Sequence, residues 1–249
     1  MKAIITCILL LFSIQLFAQD LAKEFAGSVV VDWGQNLPGI KTRIKTNEKV
    51  LALTFDACGS DKDGYDSMLI DFLTVQKVPA TLFISGRWID KFQEEFAELS
   101  NNSLFEIENH GLNHKPASID GNIAYGIIGT KDIPELIKEV EQNSIKIQHK
   151  TGKKPKFYRS GTAYYDDVAV QIINKLKYDI AGFSILGDAG ATYKKEQVKK
   201  ALLNAPKGSI IIMHMNHPEK ETAQGVIAAI PVLKKRGFKF VKLEDCVLY

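Results

Sequence analysis

Cysteine, histidine and long apolar runs are all scarce in this 249-residue chain, and each scarcity narrows what the protein can be. Of three cysteines, Cys7 lies in the apolar start, which leaves Cys58 and Cys246 and at most one disulfide between them. No second long apolar span follows the first, so nothing after it reads as a membrane crossing. The formal charge is only +3, and the 32 lysines and arginines are interspersed with 29 acids. Clusters such as Lys153, Lys154 and Lys156 are short enough to be solvated loops. No basic and aromatic strip forms, which argues against nucleic-acid binding. An internal repeat, a low-complexity tract and a long linker are likewise missing.

The chain starts MKAIITCILLLFSIQLFAQD, with Lys2 ahead of an apolar run and small Ala18 near its end. That run, roughly 12 to 15 residues, is too short to span a bilayer and reads as a secretory signal peptide cleaved after Ala18. The expected organisation is a signal peptide at 1–18, an N-terminal extension at 19–46 and one α/β domain at 47–249. The product is expected to be exported, periplasmic or secreted, soluble and monomeric.

Within the extension, SVVVDW and GQNLPG read as a strand or cover segment and a turn. From Lys49 the texture alternates. KVLALTF, PATLFIS, LFEIENH, PKFYRS, DIAGFSI, GSIIIMH and FKFVKL read as strands. Between them, GYDSMLIDFLTVQ, WIDKFQEEFAELSN, IPELIKEVEQNSIKIQ, VAVQIINKL, KEQVKKALLN and GVIAAIPVLKKRG read as helices. The rhythm implies parallel strands covered by helices, as an irregular (β/α) barrel of seven or eight units, with a doubly wound open sheet as the alternative.

Polar residues fall where a barrel carries its chemistry. Asp56, His110, Arg159, Asp188 and His214 all lie at or just past the carboxyl ends of predicted strands. Four of the five histidines fall in two groups, His110 with His114 and His214 with His217, while His149 sits in a polar stretch. The spacing of His110 and His114 can turn two imidazoles toward one cation on a helical turn, or mark surface polar residues. Asp56 is either a loop cap or a base that takes a proton from water. His214 is either a half-buried structural histidine or a partner on the same face.

Taken in order, LTFDACG, NHGLNH, FYRSGTAYYD, AGFSILGD and IIIMH resemble the motifs of the polysaccharide deacetylase (NodB-homology) family. That family includes peptidoglycan, chitin and acetyl-xylan deacetylases, and the resemblance runs from about Lys49 to Leu248. It implies a distorted (β/α)7-8 barrel of the NodB-homology type and a metal-dependent removal of acetyl groups from an acetylated polysaccharide. His110 and His114 match the two histidine ligands of a divalent cation: zinc in the first instance, with cobalt, nickel or manganese as alternatives. Asp56 matches the catalytic base, Arg159 the arginine that orients it, and His214 the general acid. Asp188, shifted from its usual motif position, is the candidate to orient His214.

Three departures stand beside the match. Ala57 occupies the position of the family's second aspartate, the third metal ligand, so Asp61 or Asp63 would have to reach back from the loop. SGTAYYD replaces a proline-containing segment, giving Ser160, Gly161 and Thr162 a small polar rim and leaving Tyr164 and Tyr165 to stack on sugar or pack a loop. Phe183 and Leu186 stand where a tryptophan and an aspartate are usual; Thr192 and Tyr193 in the GATY turn are weaker candidates beside Asp188, while Asn216 and His217 match no family role and either hold their loop or touch substrate. If barrel closure brought the last strand beside the first with both cysteines at one rim, Cys58 and Cys246 would form a disulfide.

Peptidoglycan or chitin-like amino sugars are the expected substrates, with O-acetylated xylan as an alternative. A non-catalytic carbohydrate-binding protein is a second class. Glycoside hydrolysis by Asp56 and Asp188 would leave the histidine pair without a purpose.

Overall fold

The computed structural model describes residues 19–249, so the expected signal peptide lies outside the described residues. The N-terminal stretch gives two short strands, β1 (Trp33–Gly34) and β2 (Ile40–Lys41). The long central strands are β3 (Val50–Ala57), β4 (Ala80–Ile84) and β5 (Phe105–Asn109). Short pieces follow as β6 (Ile123–Ala124), β7 (Ile127–Ile128), β8 (Phe157–Tyr158), β9 (Tyr165–Asp166), β10 (Asp179–Ala181) and β11 (Ile185–Leu186). The chain closes with β12 (Ser209–His214) and β13 (Lys239–Phe240).

The main sheet runs β11-β12-β3-β4-β5-β8-β10-β2, with β13 added to β3, and every neighbouring pair is parallel. Its ends meet through one piece of chain. β10 and β11 are separated only by Gly182, Phe183 and Ser184, yet the first bonds to β8 and the second to β12. The sheet therefore curls round into a distorted (β/α) barrel rather than lying open.

Strand parity sorts the side chains between two cores. Leu51, Leu53 and Phe55 of β3 face outward and pack on Leu69, Leu73, Trp88, Ile230 and Leu233 of the covering helices. Ala52, Phe83, Phe157, Ala181 and Ile210 face inward and fill the barrel with Ile44, Leu243 and Leu248. Asp56 shares the parity of Ala52, so it points into the barrel mouth. The same count carries Glu108 to His110, Phe157 to Arg159 and Ile210 to His214.

The helices begin where side chains can satisfy free backbone amides. Asp66 accepts from the Leu69 amide at 3.0 Å before Ser67–Val75, and Ser85 accepts from Trp88 at 3.2 Å before Gly86–Lys91. The longest, Ile133–Thr151, starts at Asp132 with Pro134 in its first turn and stops at left-handed Gly152. Residues predicted as one helix, WIDKFQEEFAELSN, form two, Gly86–Lys91 and Gln93–Asn101, because Phe92 leaves the helical region at φ −123°. Residues 19–24 are helical, and Leu21 and Phe25 bury against Val168, Ile172 and Ile173. The N-terminal stretch also enters the sheets, β1 antiparallel to β9 and β2 parallel to β10.

The expected disulfide is corrected, since Cys58 and Cys246 are both free thiols. β13 does run beside β3, but only at Val50 and Leu51, and the chain then turns away through Leu243–Asp245 beneath Thr81 and Glu106. Cys58 lies past the opposite end of β3. At about 3.3 Å per residue the two ends are roughly 20 Å apart, far beyond disulfide reach.

Candidate active site and metal centre

The mouth of the barrel gathers Asp56, His110, His114, Arg159, Asp188 and His214 from five separate strand ends or the loops beyond them. Arg159 is fully buried, which is tolerable only because its guanidinium is satisfied on every side. Nη1 donates to Asp56 Oδ1 at 2.7 Å and to Thr54 Oγ1 at 2.9 Å, while Nε and Nη2 donate to the Ala181 and Gly182 carbonyls at 3.0 and 3.2 Å. The guanidinium also lies over the Phe83 ring, 4.1 Å from its centroid. One carboxylate oxygen of Asp56 is thereby fixed, and the other stands 3.7 Å from His110 Nε2, too far for a hydrogen bond.

His110 is equally constrained. Its Nδ1 lies 2.9 Å from the Arg159 carbonyl, an acceptor only, so the ring proton sits on Nδ1. Nε2 then carries a lone pair, is buried and has no hydrogen-bond partner. His114 follows with its ring 4.9 Å from that of His110, edge to face. The pair does not share a helical turn as its spacing predicts. His114 instead adopts a left-handed conformation, φ +59°, in a loop, a cost tolerated where surrounding structure imposes it. Gly161 is part of that imposition, because a Cβ there would overlap the His114 carbonyl.

Asp188 is buried and accepts three hydrogen bonds: the His214 amide at 2.7 Å, His214 Nδ1 at 2.9 Å and Thr222 Oγ1 at 3.0 Å. Burial pushes the His214 imidazole down, but the Asp188 charge and hydrogen bond outweigh it and raise its pKa to about 9. Burial raises the Asp188 carboxyl, and the His214 charge and hydrogen bonds more than reverse that, holding it below the usual range. Burial also lowers His110 and, more strongly, His114, where the neighbouring histidines add to the effect. At neutral pH the barrel mouth therefore holds two neutral imidazoles and one imidazolium.

Neither predicted loop acid joins the histidines. Asp61 is exposed, and Asp63 is committed to Ser60, accepting from its amide at 2.8 Å and from its hydroxyl. Among the described residues, the group whose donor atoms converge with His110 and His114 is completed by Cys58, all within 4.8 Å of one another. Burial, then the Asp56 charge, push the Cys58 thiol well above its ordinary pKa, and the Asn216 amide opposes them.

Sequence reading missed Glu139 and Asn143 as supports of the histidine loop. Glu139, buried on the long helix, accepts from the Asn113 and Lys115 amides at 2.8 and 3.1 Å, on either side of His114. Asn109 accepts from the Gly111 amide at 2.9 Å and from Asn143 Nδ2 at 2.7 Å. A buried Glu and Asn on the inner face of an amphipathic helix were the available signal. Of its two alternatives Tyr165 takes loop packing, because it is buried with its hydroxyl accepting from the Ser160 amide at 2.9 Å. Tyr164 stays at the rim, 5.5 Å from both Trp33 and Tyr125 between ring centroids. Tyr125 belongs to the β6–β7 hairpin, which periodicity did not predict. Thr192 closes a local turn on the Ala189 carbonyl at 2.7 Å. The cleft enclosed by these parts holds about 360 Å³ and is lined by Asp56, Cys58, His114, His214, Tyr125 and Leu186 among others.

Residues 43–181, more than half of the chain, match the family model described as polysaccharide deacetylase. A peptidoglycan-N-acetylglucosamine deacetylase of Bacillus cereus is 24% identical over 233 residues, covering 92% of this chain and 98% of that protein. Among solved structures, a family 4 acetyl xylan esterase from Clostridium thermocellum, in complex with a cobalt ion, superposes with a TM-score of 0.64 at 27% identity. The overlap covers 79% of this chain and 89% of that one. A pseudoenzyme of carbohydrate esterase family 4 from Bacillus anthracis has a TM-score of 0.67 at 18% identity, over 82% and 67% of the two chains. The barrel, the order of its motifs and the matched stretch agree, and this chain belongs to the polysaccharide deacetylase family.

Proposed function

We propose that the protein removes acetyl groups from N-acetylated amino sugars of a polysaccharide, peptidoglycan foremost, with Asp56 as base and His214 as acid. The observation that carries this reading is the convergence on one cleft of an Arg159-fixed carboxylate and an Asp188-bound imidazolium. The B. cereus relative, matched over nearly its whole length, favours peptidoglycan over O-acetylated xylan. An apolar leader of signal-peptide type fits action outside the cytoplasm. Among the described residues no helix is long and apolar enough to cross a membrane.

The residues present fit a divalent cation. His110 presents a buried, unpartnered Nε2 whose lone pair is fixed by the bond at Nδ1, the arrangement of a metal-ligating histidine, and His114 lies beside it. A cation held there lowers the pKa of water and offsets charge developing on a carbonyl oxygen. Asp56 supplies the proton acceptor. Arg159 holds its Oδ1, which leaves Oδ2 to take the proton of the attacking water. His214 supplies the proton donor, since Nδ1 is bound to Asp188 and Nε2 remains for the departing nitrogen. Asp188 keeps that ring protonated and oriented without itself accepting a proton.

A second reading, a carbohydrate-binding protein without turnover, is favoured by one observation, Ala57 at a usual ligand position. Acetate release from peptidoglycan fragments, chitin oligomers and acetylated xylan, with and without chelator, separates the two. Chelator-sensitive release from amino sugars supports the first reading, Asp56→Asn should keep the cation while losing turnover, and His110→Ala should lose both. Glycan binding without acetate release under any added metal supports the second reading, and chelator-insensitive turnover refutes the metal dependence.

A further inference from the structure

We propose that Cys58 Sγ is the third protein ligand of the cation, giving a Cys-His-His site in place of a carboxylate at Ala57. The inference rests on the metal-binding reading of His110 and His114 and specifies the donor set of that site.

Three observations carry it. Cys58 Sγ and the ligand nitrogens of His110 and His114 lie within 4.8 Å of one another. A tetrahedral cation bonded at about 2.0 to 2.3 Å keeps its donors roughly 3.5 Å apart, so small side-chain rotations close the set. His110 Nε2, the ring nitrogen left free to ligate, is buried and unpartnered. The loop acids that could compete are elsewhere, Asp61 in solvent and Asp63 bonded to Ser60.

The backbone holds the thiol in place. After Ala57 ends β3, the Cys58 carbonyl accepts from Ser85 Oγ at 2.7 Å. Gly59 follows at φ +82°, pressed so closely on the Trp88 amide that no side chain fits. Clamped on that side, Cys58 lines the same cleft as Asp56, His114 and His214.

Ligation breaks the S–H bond, releases its proton to solvent and forms a sulfur–metal bond, with no change of oxidation state. A thiolate with two imidazoles is a softer donor set than a carboxylate with two imidazoles. It favours zinc and cobalt over manganese and magnesium.

The test is titration of the metal-free mature chain with cobalt and with zinc. The wild type should bind one cobalt with a near-ultraviolet thiolate-to-cobalt absorption band, and Cys246→Ser should keep that band. Cys58→Ser, which nearly preserves shape, should lose the band and bind zinc more than about 100-fold more weakly, since loss of a ligand exceeds loss of its supporting partner. Cys58→Asp should bind zinc again without the band. If the wild type binds one cobalt without the band and Cys58→Ser binds equally well, the proposal is overturned while the histidine site stands. If the wild type binds neither metal at micromolar concentration, the proposal and the metal-binding reading fall together.

Discussion

Replacing Asp188 with asparagine tests the acid half of the site, because the two charge states of His214 are separated by one neighbour. The imidazole stands at about 9 against an ordinary value near 6.5. At about 1.4 kcal/mol per unit, the attraction of Asp188, with a smaller share from Asp56, exceeds the burial penalty by roughly 3 kcal/mol. Asparagine has no charge, and its amide cannot satisfy all three donors that Asp188 accepts. If its oxygen serves the His214 amide and Thr222, its NH2 faces Nδ1 and forces the neutral tautomer, as poor an acid as simple deprotonation would leave. The His214 pKa should therefore fall to about 6.5 or below. At pH 8 the protonated fraction would drop from about 0.9 to about 0.03 or less, a loss of at least roughly 30-fold that narrows only as pH falls toward the variant's lowered pKa.

The assay is the rate of acetate release against pH for both proteins. The wild-type rate should fall as pH rises through about 9, and the variant's through about 6.5 or below. Stability follows the same linkage. His214 has a folded pKa above its unfolded one, so its contribution is complete below about 6.5 and lost as pH rises through about 9. The variant should lose that slope of roughly 3 kcal/mol in urea unfolding. A variant whose alkaline limb stays near pH 9 would refute the assignment, because the proton would then be held by something other than Asp188.

Gly161→Ala should cost about 1 to 3 kcal/mol and weaken zinc uptake, because the added carbon overlaps the His114 backbone. Wild-type values in both urea unfolding and zinc titration would show that the loop yields freely. Inside the barrel, Glu108 lies close enough to Glu106 to feel its charge and accepts the Phe157 amide at 2.6 Å. Burial, then the Glu106 charge, push the Glu108 carboxyl well up, so the folded state is destabilised progressively as pH rises above the unfolded value near 4.3. Glu108→Gln keeps the acceptor and always has a proton to donate. Its urea midpoint should equal or exceed the wild type's above neutral pH, and a clear drop there would mean that the second carboxyl matters as a charge.

The legible part of the structure is the part that periodicity encodes. Val50–Ala57 and Ser209–His214 show as apolar runs because both faces of a barrel strand are buried, and their terminal Asp56 and His214 show because a polar residue ends each run. Asp188 was recognisable as a carboxylate near the matching motif, and the structure sets it 2.9 Å from His214 Nδ1. The conditional pairing of Cys58 with Cys246 needs the last strand beside the first and both cysteines at one rim, and only the first condition holds. What sequence did not reveal was the register, with Lys239 opposite Val50 rather than near Ala57. β4 pairs with β3 only from Thr54 onward, which leaves β13 the lower half of that edge and carries Cys246 to the far end.

The rim of the cleft is harder to read, and for a different reason. Its Trp33, Tyr125 and Tyr164 come from segments far apart in sequence, each in or beside a strand of two residues, too short to show a period. One signal did exist. Tyr125 and Gly126 both have positive φ, 52° and 77°, and join β6 to β7 as a two-residue turn of the primed type, where glycine at the second position is the usual mark. Read that way, AYGI is a hairpin tip that carries an exposed tyrosine over the cleft. Polar machinery at the barrel mouth is fixed by strand parity, which a sequence displays. The aromatic edge of the cleft is fixed by how three distant segments come to lie together, which only the folded chain displays.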